Sequence, residues 1–201
     1  MKIRKINPFT QPQMVEEIAS VYQQSFGGEP WNEGYLCPVC KKIFARAPQI
    51  ETCTVCRERS QIILMVEYWP ISKIVSDFYS EMQKPDPICV VAQLDEVVIG
   101  FAWGYRVSAN PDIDEHLDAP NLNQSLCGDF FYLDECAIVP NYQGKGIGKL
   151  LVFRILREQQ QKQILLRTMD NSRMCSIIKN MGGETIQKIS RGRIIMKLLT
   201  P

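Results

Sequence analysis

The sequence predicts one mixed α/β domain in which helices cover a central sheet. Two apolar patterns with helical spacing, over 13–26 and 71–83, flank a block of cysteines. Beyond residue 88, short apolar strands alternate with helices. A chain of 201 residues is long enough to bury one full core and to carry an insert.

The N-terminal part is predicted to contain one strand and two helices. KIRKI at 2–6 is short and rich in isoleucine, which favours a strand. In the first helix, 13–26, the apolar side chains form one face, and the glycines and proline of FGGEP end it. The second helix, 71–83, has a similar apolar stripe.

A β-hairpin and a long loop are predicted next. Residues 88–94 and 97–107 are strand-like and flank a short turn. The segment 108–127 is polar and acidic, and a loop of that length in a compact domain is usually functional or mobile. Its acidic side chains either attract a cationic amine or are ordinary solvated charges. They are Asp112, Asp114, Glu115 and Asp118.

The C-terminal part continues the alternation. A strand at 129–139 leads to a helix at 146–161, which is apolar over much of its girth and is therefore expected to be buried. A strand at 164–169 and a helix at 172–181 follow. Two glycines end that helix, and ETIQKIS and IIMKLL form a closing pair of strands.

The composition excludes several classes of protein. No apolar run reaches the roughly 18 residues that span a membrane, and the N-terminus has no apolar signal core, so we expect a cytoplasmic protein. The formal net charge of +1 argues against a general nucleic-acid binder, which should be strongly basic.

The stretch QGKGIG, 143–148, holds three glycines at a helix start, where each costs about 1 kcal/mol relative to alanine. A strand, a glycine-rich turn and a helix start together form an anion site, because the first helical N–H groups lack partners and carry partial positive charge. Lys145 adds charge. The Walker and Rossmann patterns are both absent. The alternative is a turn that only packs the helix on the strand.

The surrounding stretch LDECAIVPNYQGKGIGKLL resembles the acetyl-CoA motif of the GNAT N-acetyltransferases, [RQ]-x-x-G-x-[GA]. Residues 143–148 match that motif, and Ile138-Val139-Pro140 matches the V-x-P that ends the family's preceding strand. The resemblance implies a mostly antiparallel central sheet whose splayed fourth and fifth strands hold the pantetheine arm of acetyl-CoA.

The resemblance also implies which residues bind acetyl-CoA. The pyrophosphate would lie on the N–H groups of the glycine loop, and backbone N–H groups near Cys136 to Ile138 would bind pantetheine and the oxyanion. The expected cofactor-binding residues are Ala137, Ile138, Val139, Gln143, Gly144, Lys145, Gly146, Ile147, Gly148 and Asn171.

Acetyl transfer to an amine needs a general base. In the family a carboxylate on the fourth strand or a chain of water molecules often removes the proton, and Asp134 and Glu135 occupy that strand here. We favour Glu135, because strand alternation predicts that it shares a face with Leu133 and Ala137, and burial would raise its pKa. The alternative is a carboxylate paired structurally.

The chain departs from the family where a tyrosine acts as general acid. The family pattern N-x-x-A-x-x-L-Y-x-x-x-G aligns with NSRMCSIIKNMG, which places Ile178 at the tyrosine position. Cys175 and Ser176 are the candidate replacements, or the thiolate leaves unassisted. Cys175 as a covalent acetyl carrier is disfavoured, because the only histidine, His116, is expected to be a solvated loop residue.

Four cysteines form two CxxC pairs separated by 12 residues, the spacing of a four-cysteine zinc ribbon. They are Cys37, Cys40, Cys53 and Cys56. Protein ligands fill all four positions, so the Zn²⁺ is expected to be structural. A rubredoxin-type iron centre and two disulfides are the competing interpretations. We expect a ribbon at 36–60 inserted into an acyltransferase domain formed by 1–35 and 61–201.

The ribbon lies between the first two helices, a segment that lines the acceptor cleft in the resembled family. It is expected to shape the acceptor site or to dock an acceptor macromolecule. Its net positive charge would suit a nucleic acid or an acidic protein. A rigid lid, or an oligomer contact such as a homodimer interface, is the alternative.

The sequence therefore predicts an N-acetyltransferase that moves an acetyl group from acetyl-CoA to an amine acceptor by direct transfer in a ternary complex. The acceptor is either a small molecule or a protein. Two rivals remain at this point: a protein that binds acetyl-CoA as a sensor without transferring the group, and a zinc-ribbon adaptor.

Overall fold

The computed structural model describes residues 1–45, 52–59, 61–109, 112–126 and 128–200. In chain order its strands are β1 Lys2–Ile6, β2 Tyr35–Leu36, β3 Ile43–Phe44, β4 Val66–Glu67, β5 Ile88–Leu94, β6 Val97–Ser108, β7 Asp129–Ile138, β8 Gln163–Met169, β9 Glu184–Lys188 and β10 Arg193–Leu199. Its helices are α1 Pro12–Phe26, α2 Thr54–Arg57, α3 Ile71–Glu81, α4 Asp112–His116, α5 Ile147–Glu158 and α6 Arg173–Asn180.

Seven strands form the central sheet in the order β1-β5-β6-β7-β8-β10-β9. Neighbouring strands are antiparallel except β7 and β8, which are parallel. The parallel pair is joined only at Phe131–Ile164 and Tyr132–Leu165, so the two strands diverge beyond these residues. The mostly antiparallel sheet and its splayed fourth and fifth strands are confirmed.

Helices cover both faces of this sheet. On one face, α5 and α6 bury an apolar cluster that includes Leu133, Leu151 and Ile178. On the other face, α1 and α3 pack over a second cluster that includes Phe101 and Trp103. Because the sheet is covered on both sides, β5 is buried along six successive residues. In the described part of the chain, every helix is too short or too polar to cross a membrane.

Local sequence signals explain where the helices begin. Pro12 occupies the first turn of α1, where a backbone N–H would have no helical partner. The Ser172 side chain accepts a hydrogen bond from the Cys175 N–H at 3.0 Å and caps α6. The predicted boundaries of both helices agree with the structure to within one residue at each end.

The segment predicted as a long solvated loop, 108–127, is instead an ordered cap, as far as its described residues show. It contains α4 and a 3₁₀ turn at Leu122–Ser125. Five apolar side chains of the cap are buried against Tyr105 and Tyr132. They are Ile113, Leu117, Ala119, Leu122 and Leu126. Cys127 lies outside the described residues.

Two acidic residues of the cap make structural hydrogen bonds, one within the cap and one to the turn between β9 and β10. The Asp114 carboxylate accepts hydrogen bonds from the backbone N–H groups of Asn121 and Asn123, at 2.9 and 2.7 Å. The Asp118 carboxylate accepts from the Ser190 hydroxyl at 3.1 Å. These bonds give both carboxylates a structural role.

A β-bulge interrupts the pairing of β6 with β7. Trp103 pairs with Glu135 and Gly104 with Leu133, which leaves Asp134 as an extra residue. A Cβ atom on Gly104 would lie 2.1 Å from the Tyr132 carbonyl oxygen, so the two strands approach too closely there for any side chain.

The bulge overturns one expectation about β7. Leu133 packs under α5, whereas Glu135 lies on the face covered by α1, together with Ala137. Glu135 and Leu133 therefore do not share a face. The extra residue shifts the alternation by one position, and a period-two pattern contains no signal for it.

The cysteine block folds as a small unit between α1 and α3. Its sheet has the order β3-β2-β4, so it extends to Glu67, beyond the predicted boundary at residue 60. The Gln23 amide of α1 donates to the Glu67 carboxylate at 3.0 Å and to the Trp69 carbonyl at 2.8 Å. These bonds fix the end of the ribbon to the main domain.

Candidate active site

A cleft of about 960 Å³ opens where β7 and β8 diverge. One end is formed by the glycine loop before α5 and by the start of α6. The other end is formed by the end of α1, the segment after it and the residues that follow β4. β7 forms one wall and β8 the other, so the cleft joins the two ends along the gap in the sheet.

The glycine loop presents unpaired N–H groups to this cleft. Gly144 and Gly146 have φ values of 76° and 82°, in the left-handed region that favours glycine. No backbone N–H from Gly144 to Lys149 donates to another described residue. Because α5 begins at Ile147, these groups also lie at the positive end of the helix dipole.

Side chains fix the loop and add charge to it. The Gln143 amide donates to the Ile138 carbonyl at 2.9 Å and ties the loop to β7. An Nη atom of Arg173 lies 3.4 Å from the position that a Cβ on Gly144 would occupy. Lys149 also lines the cleft. The sequence analysis did not identify Lys149 or Arg173, because these residues lie in α5 and α6, after the motif at 143–148.

Most of the predicted cofactor-binding residues line the cleft. They are Ala137, Ile138, Gln143, Gly144, Gly146, Ile147, Gly148 and Asn171. Lys145 and Val139 are not among the lining residues. The Lys145 ammonium lies over the Tyr142 ring, 4.9 Å from its centroid, and the Val139 N–H donates to the Ile99 carbonyl at 3.0 Å.

The wall formed by β7 offers backbone donors. Because Val139 donates to β6 and successive N–H groups of a strand alternate in direction, those of Cys136 and Ile138 point away from β6, toward the cleft. The Ile138 carbonyl accepts from the Ser25 hydroxyl at 3.0 Å as well as from Gln143.

Glu135 and Asp134 are both partly buried in this wall. Burial raises the pKa of Glu135 well above its usual value, and the neighbouring Asp134 charge raises it further. The Tyr22 hydroxyl donates to the Glu135 carboxylate at 3.2 Å and acts in the opposite direction. Burial and the charge of Glu81 raise the pKa of Asp134 to about 6. The predicted pKa shift of Glu135 therefore has a structural cause.

A third carboxylate, Glu33, lies at the far end of the cleft. It accepts hydrogen bonds from the Trp69 indole at 2.8 Å and from Arg193 at 3.3 Å. Trp31 and Tyr68 line the same end, and the Arg193 guanidinium lies 5.9 Å from the Trp31 ring centroid. Glu33 follows Trp31 in the sequence, but nothing local predicts its pairing with Arg193, 160 residues away.

The two candidate general acids, Cys175 and Ser176, lie in different environments. Cys175 is 2% exposed and packs in the apolar cluster under α6, away from the cleft lining. Ser176, the next residue, is exposed and lines the cleft. Ile178, at the position of the family tyrosine, is fully buried. The structure thus brings Ser176 to the cleft and does not bring Cys175 there.

His116 lies in α4, outside the cleft lining. Its ring contacts the Tyr105 hydroxyl at 3.3 Å, and Lys84 donates to the same hydroxyl at 2.8 Å. Burial and the nearby Lys84 charge lower the pKa of His116. The side chain retains solvent exposure, but it belongs to the folded cap rather than to a loop.

The four cysteines of the ribbon converge on one point. Their sulfur atoms lie within 4.8 Å of one another, with 3.7 Å between Cys37 and Cys56 and 3.6 Å between Cys40 and Cys53. A tetrahedral Zn²⁺ with bonds of about 2.3 Å requires sulfur–sulfur distances of about 3.8 Å. All four thiols are free, and the backbone N–H groups of Cys40 and Cys56 point at Cys37 and Cys53 sulfur. The donor set therefore fits one metal ion.

Comparison with known proteins identifies the same fold. The model of the acetyltransferase (GNAT) family matches residues 56–182. Aminoglycoside 6'-acetyltransferase type Ii is 11% identical, with a TM-score of 0.59 over 100% of this chain and 98% of that one. PaiA N-acetyltransferase from Thermoplasma acidophilum, in complex with coenzyme A, is 14% identical, with a TM-score of 0.52 over 98% of each chain.

A third structure, YncA from Salmonella typhimurium with its cofactor acetyl-CoA, is 12% identical, with a TM-score of 0.56 over 100% of this chain and 94% of that one. No curated protein matches the chain. At these identities the solved structures show a shared fold, and the family model carries the assignment of the family.

Proposed function

Because this chain belongs to the acetyltransferase (GNAT) family, we propose that it transfers an acetyl group from acetyl-CoA to a primary amine, with both substrates bound in the cleft at once. The observation that carries the proposal is the cleft itself, which joins unpaired N–H groups at one end to a carboxylate of raised pKa on its wall. PaiA and YncA, which share the fold, were solved with coenzyme A and acetyl-CoA.

The glycine loop would hold the pyrophosphate of acetyl-CoA. Its N–H groups from Gly144 to Lys149 are unpaired among the described residues, and Arg173 lies beside them. The N–H groups of Cys136 and Ile138 would hold the pantetheine arm and the oxyanion that forms during transfer. The thioester would then lie beside β7, close to Glu135.

Glu135 is proposed as the general base. It removes a proton from the ammonium group of the acceptor, and the neutral amine attacks the thioester carbonyl. Its raised pKa suits this step, because a base with a pKa nearer to neutrality accepts a proton more readily. The Tyr22 hydroxyl orients the carboxylate.

Collapse of the tetrahedral intermediate breaks the C–S bond and releases the thiolate of CoA. Ser176 is the proposed proton donor, because its hydroxyl lines the cleft where the family tyrosine is replaced by buried Ile178. A thiolate is also a fair leaving group without assistance, since the pKa of a thiol is about 8.5.

We propose that the four cysteines hold one structural Zn²⁺ ion. Protein thiolates fill all four positions, so the ion would supply folding energy and no open coordination site. The ribbon ends at Glu67, directly before Tyr68 and Trp69 of the cleft. A folded ribbon would therefore position the acceptor end of the cleft.

One observation favours a second function. The absence of a tyrosine at Ile178 fits a protein that binds acetyl-CoA as a sensor without transferring the group. Calorimetry with acetyl-CoA and measurement of CoA release over a panel of amines separate the two functions. Binding with release of CoA supports the transferase. Binding with no release above the hydrolysis background supports the sensor.

A further inference from the structure

Arg167 lies across the cleft from the two carboxylates of β7. The parallel register ends at Tyr132–Leu165, so two residues further along the diverging strands Asp134 and Arg167 are opposite each other. Arg167 pairs with Ile195, which belongs to the apolar cluster under the α4 cap. That cluster also contains Tyr105, which lies two residues after Trp103 on β6 and therefore on the face covered by α1. Arg167 thus lies on the same face of the sheet as Glu135.

The guanidinium of Arg167 has few partners. Its one hydrogen bond to a described residue goes from Nη1 to the Leu117 carbonyl, at 3.4 Å. It belongs to none of the ion pairs of the described chain. Arg193, by contrast, is engaged by Glu33 and by the Trp31 ring. A guanidinium has five N–H donors, so most of those on Arg167 remain open in the wall of the cleft.

The cleft therefore has opposite charges on its two walls near the site of transfer. Asp134 and Glu135 form one wall, and the Arg167 charge is near enough to lower the pKa of both. Partial burial of a guanidinium that forms no ion pair costs desolvation free energy. A planar carboxylate offsets that cost best, because its two oxygens accept two parallel hydrogen bonds from the guanidinium.

We propose that the acceptor is a free amino acid, whose amino group lies at Glu135 while its carboxylate binds Arg167. This inference rests on the proposed transferase function and names its substrate class. A peptide N-terminus has an amide in place of the α-carboxylate, and a simple amine has no carboxylate. Either would leave the N–H donors of Arg167 without an acceptor from the substrate.

The reaction on such an acceptor is balanced within the cleft. Glu135 takes one proton from the ammonium, and the neutral nitrogen bonds to the carbonyl carbon to give the tetrahedral intermediate. When that intermediate collapses and the C–S bond breaks, the Ser176 hydroxyl gives its proton to the departing thiolate and takes the second nitrogen proton in exchange. The product is an N-acetyl amino acid, which keeps its carboxylate on Arg167 but no longer offers a positive charge to the opposite wall.

The proposal is tested with matched acceptors that share one side chain: the free amino acid, its primary amide and its decarboxylated amine. Apolar, aromatic, basic and acidic side chains are each represented by such a triplet, and CoA release is the readout. For at least one side chain we expect kcat/KM of the free acid to exceed that of the amide by about 10-fold to 100-fold. Amides or amines turned over as well as the acids would overturn the acceptor class while leaving the transferase intact.

No release with any acceptor, although acetyl-CoA binds, would overturn the transferase function itself, and the acceptor class with it. The two failures are thus distinguishable.

Arg167→Gln separates recognition from a structural role. We expect KM for the free acid to rise by about 10-fold or more, while kcat/KM for the amide stays within about 3-fold. Arg167→Lys should restore part of the affinity for the free acid, because lysine keeps the positive charge but lacks the planar set of guanidinium N–H donors. Arg157→Gln, on the exposed end of α5, is the matched control. An equal loss on acid and amide would show that Arg167 only supports the fold, and would overturn the proposal.

Discussion

Two adjacent carboxylates on β7 are held at raised pKa values by different surroundings. Glu135 is hydrogen-bonded to Tyr22, and Asp134 interacts with Glu81 and Lys84. The sequence places both on one strand, but alternation alone assigns them to opposite faces. The bulge at Asp134 removes that constraint, and both side chains line the cleft. Their proton affinities are therefore consequences of packing.

Glu135→Gln should lower kcat/KM by about 10² to 10⁴, the range that general-base catalysis supplies. In the wild type, activity should fall as pH decreases through the pKa of Glu135, at a higher pH than for an ordinary glutamate, because that pKa is raised. The steady-state pH profile of both proteins is the measurement. Glu16→Gln, exposed on α1, is the control. Full activity in Glu135→Gln would eliminate this residue as the base.

Asp134→Asn should stabilise the protein at neutral pH. The folded-state pKa of about 6 lies above the usual 3.8, so the folded state holds its proton more tightly and stability declines as pH rises between these values. Asparagine cannot ionise and avoids this cost, which is about 1–3 kcal/mol above pH 6. Urea unfolding should show a gain about 1 kcal/mol larger at pH 8 than at pH 5.

Asp77→Asn, an exposed substitution on α3, should change stability by less than about 0.5 kcal/mol at either pH. A gain in Asp134→Asn that is the same at both pH values would contradict burial of the charge as its cause.

At the scale of elements, two glycines control the site by different physical means. Gly146 lets the loop adopt a left-handed φ just before α5, so that N–H groups face the cleft. Gly104 lets β6 approach β7 at the bulge, and the bulge turns Glu135 toward α1. The first has a sequence signature in QGKGIG, whereas the second lies within an ordinary apolar strand.

Gly146→Glu should abolish binding of acetyl-CoA, because a carboxylate would face the pyrophosphate and exclude it. Calorimetric affinity for CoA is the measurement. Gly128→Glu is the matched control, since Gly128 also has a positive φ, of 70°, in open space and lies outside the cleft. Both variants carry the same backbone strain and charge. Unchanged affinity in Gly146→Glu would contradict the phosphate site.

Gly104→Ala should destabilise the protein by about 3 kcal/mol or more, because its Cβ would overlap the Tyr132 carbonyl oxygen and only movement of the backbone could relieve the overlap. Thermal and urea unfolding measure the change. Gly28→Ala should be close to neutral, since no atom lies within 4 Å of the Cβ it would add. A loss in Gly104→Ala no greater than in Gly28→Ala would contradict the close approach of β6 and β7.

At the scale of the whole molecule, the ribbon adjoins one end of the cleft and the glycine loop forms the other. The ribbon connects to α1 through Gln23 and precedes Tyr68 and Trp69. The glycine loop lies at the other end of the gap between β7 and β8. Unfolding of the ribbon should therefore weaken binding of the acceptor more than binding of acetyl-CoA.

Metal removal from the 201-residue chain should unfold the ribbon, because the ribbon has too few residues to form a core without the ion. We expect about one Zn²⁺ per chain by elemental analysis before removal. After removal, CoA affinity should stay within about 2-fold, while KM for the amine rises and is restored by added Zn²⁺. Equal loss of both affinities would contradict the separation of the two ends. Visible absorbance with iron in the elemental analysis would identify a rubredoxin-type centre instead.

The sequence by itself determined the order of the sheet strands and of the helices other than α4, the glycine loop and the grouping of the four cysteines, because each of these depends on residues close together in the chain. Periodicity identifies a buried helix face, and CxxC spacing brings two sulfurs to one ion. Only the tertiary structure decided the register of β7, the burial of Cys175, the fold of the α4 cap and the position of Arg167 opposite Asp134. These depend on contacts between strands and helices far apart in sequence, and a single bulged residue is enough to reverse the face that a local pattern predicts.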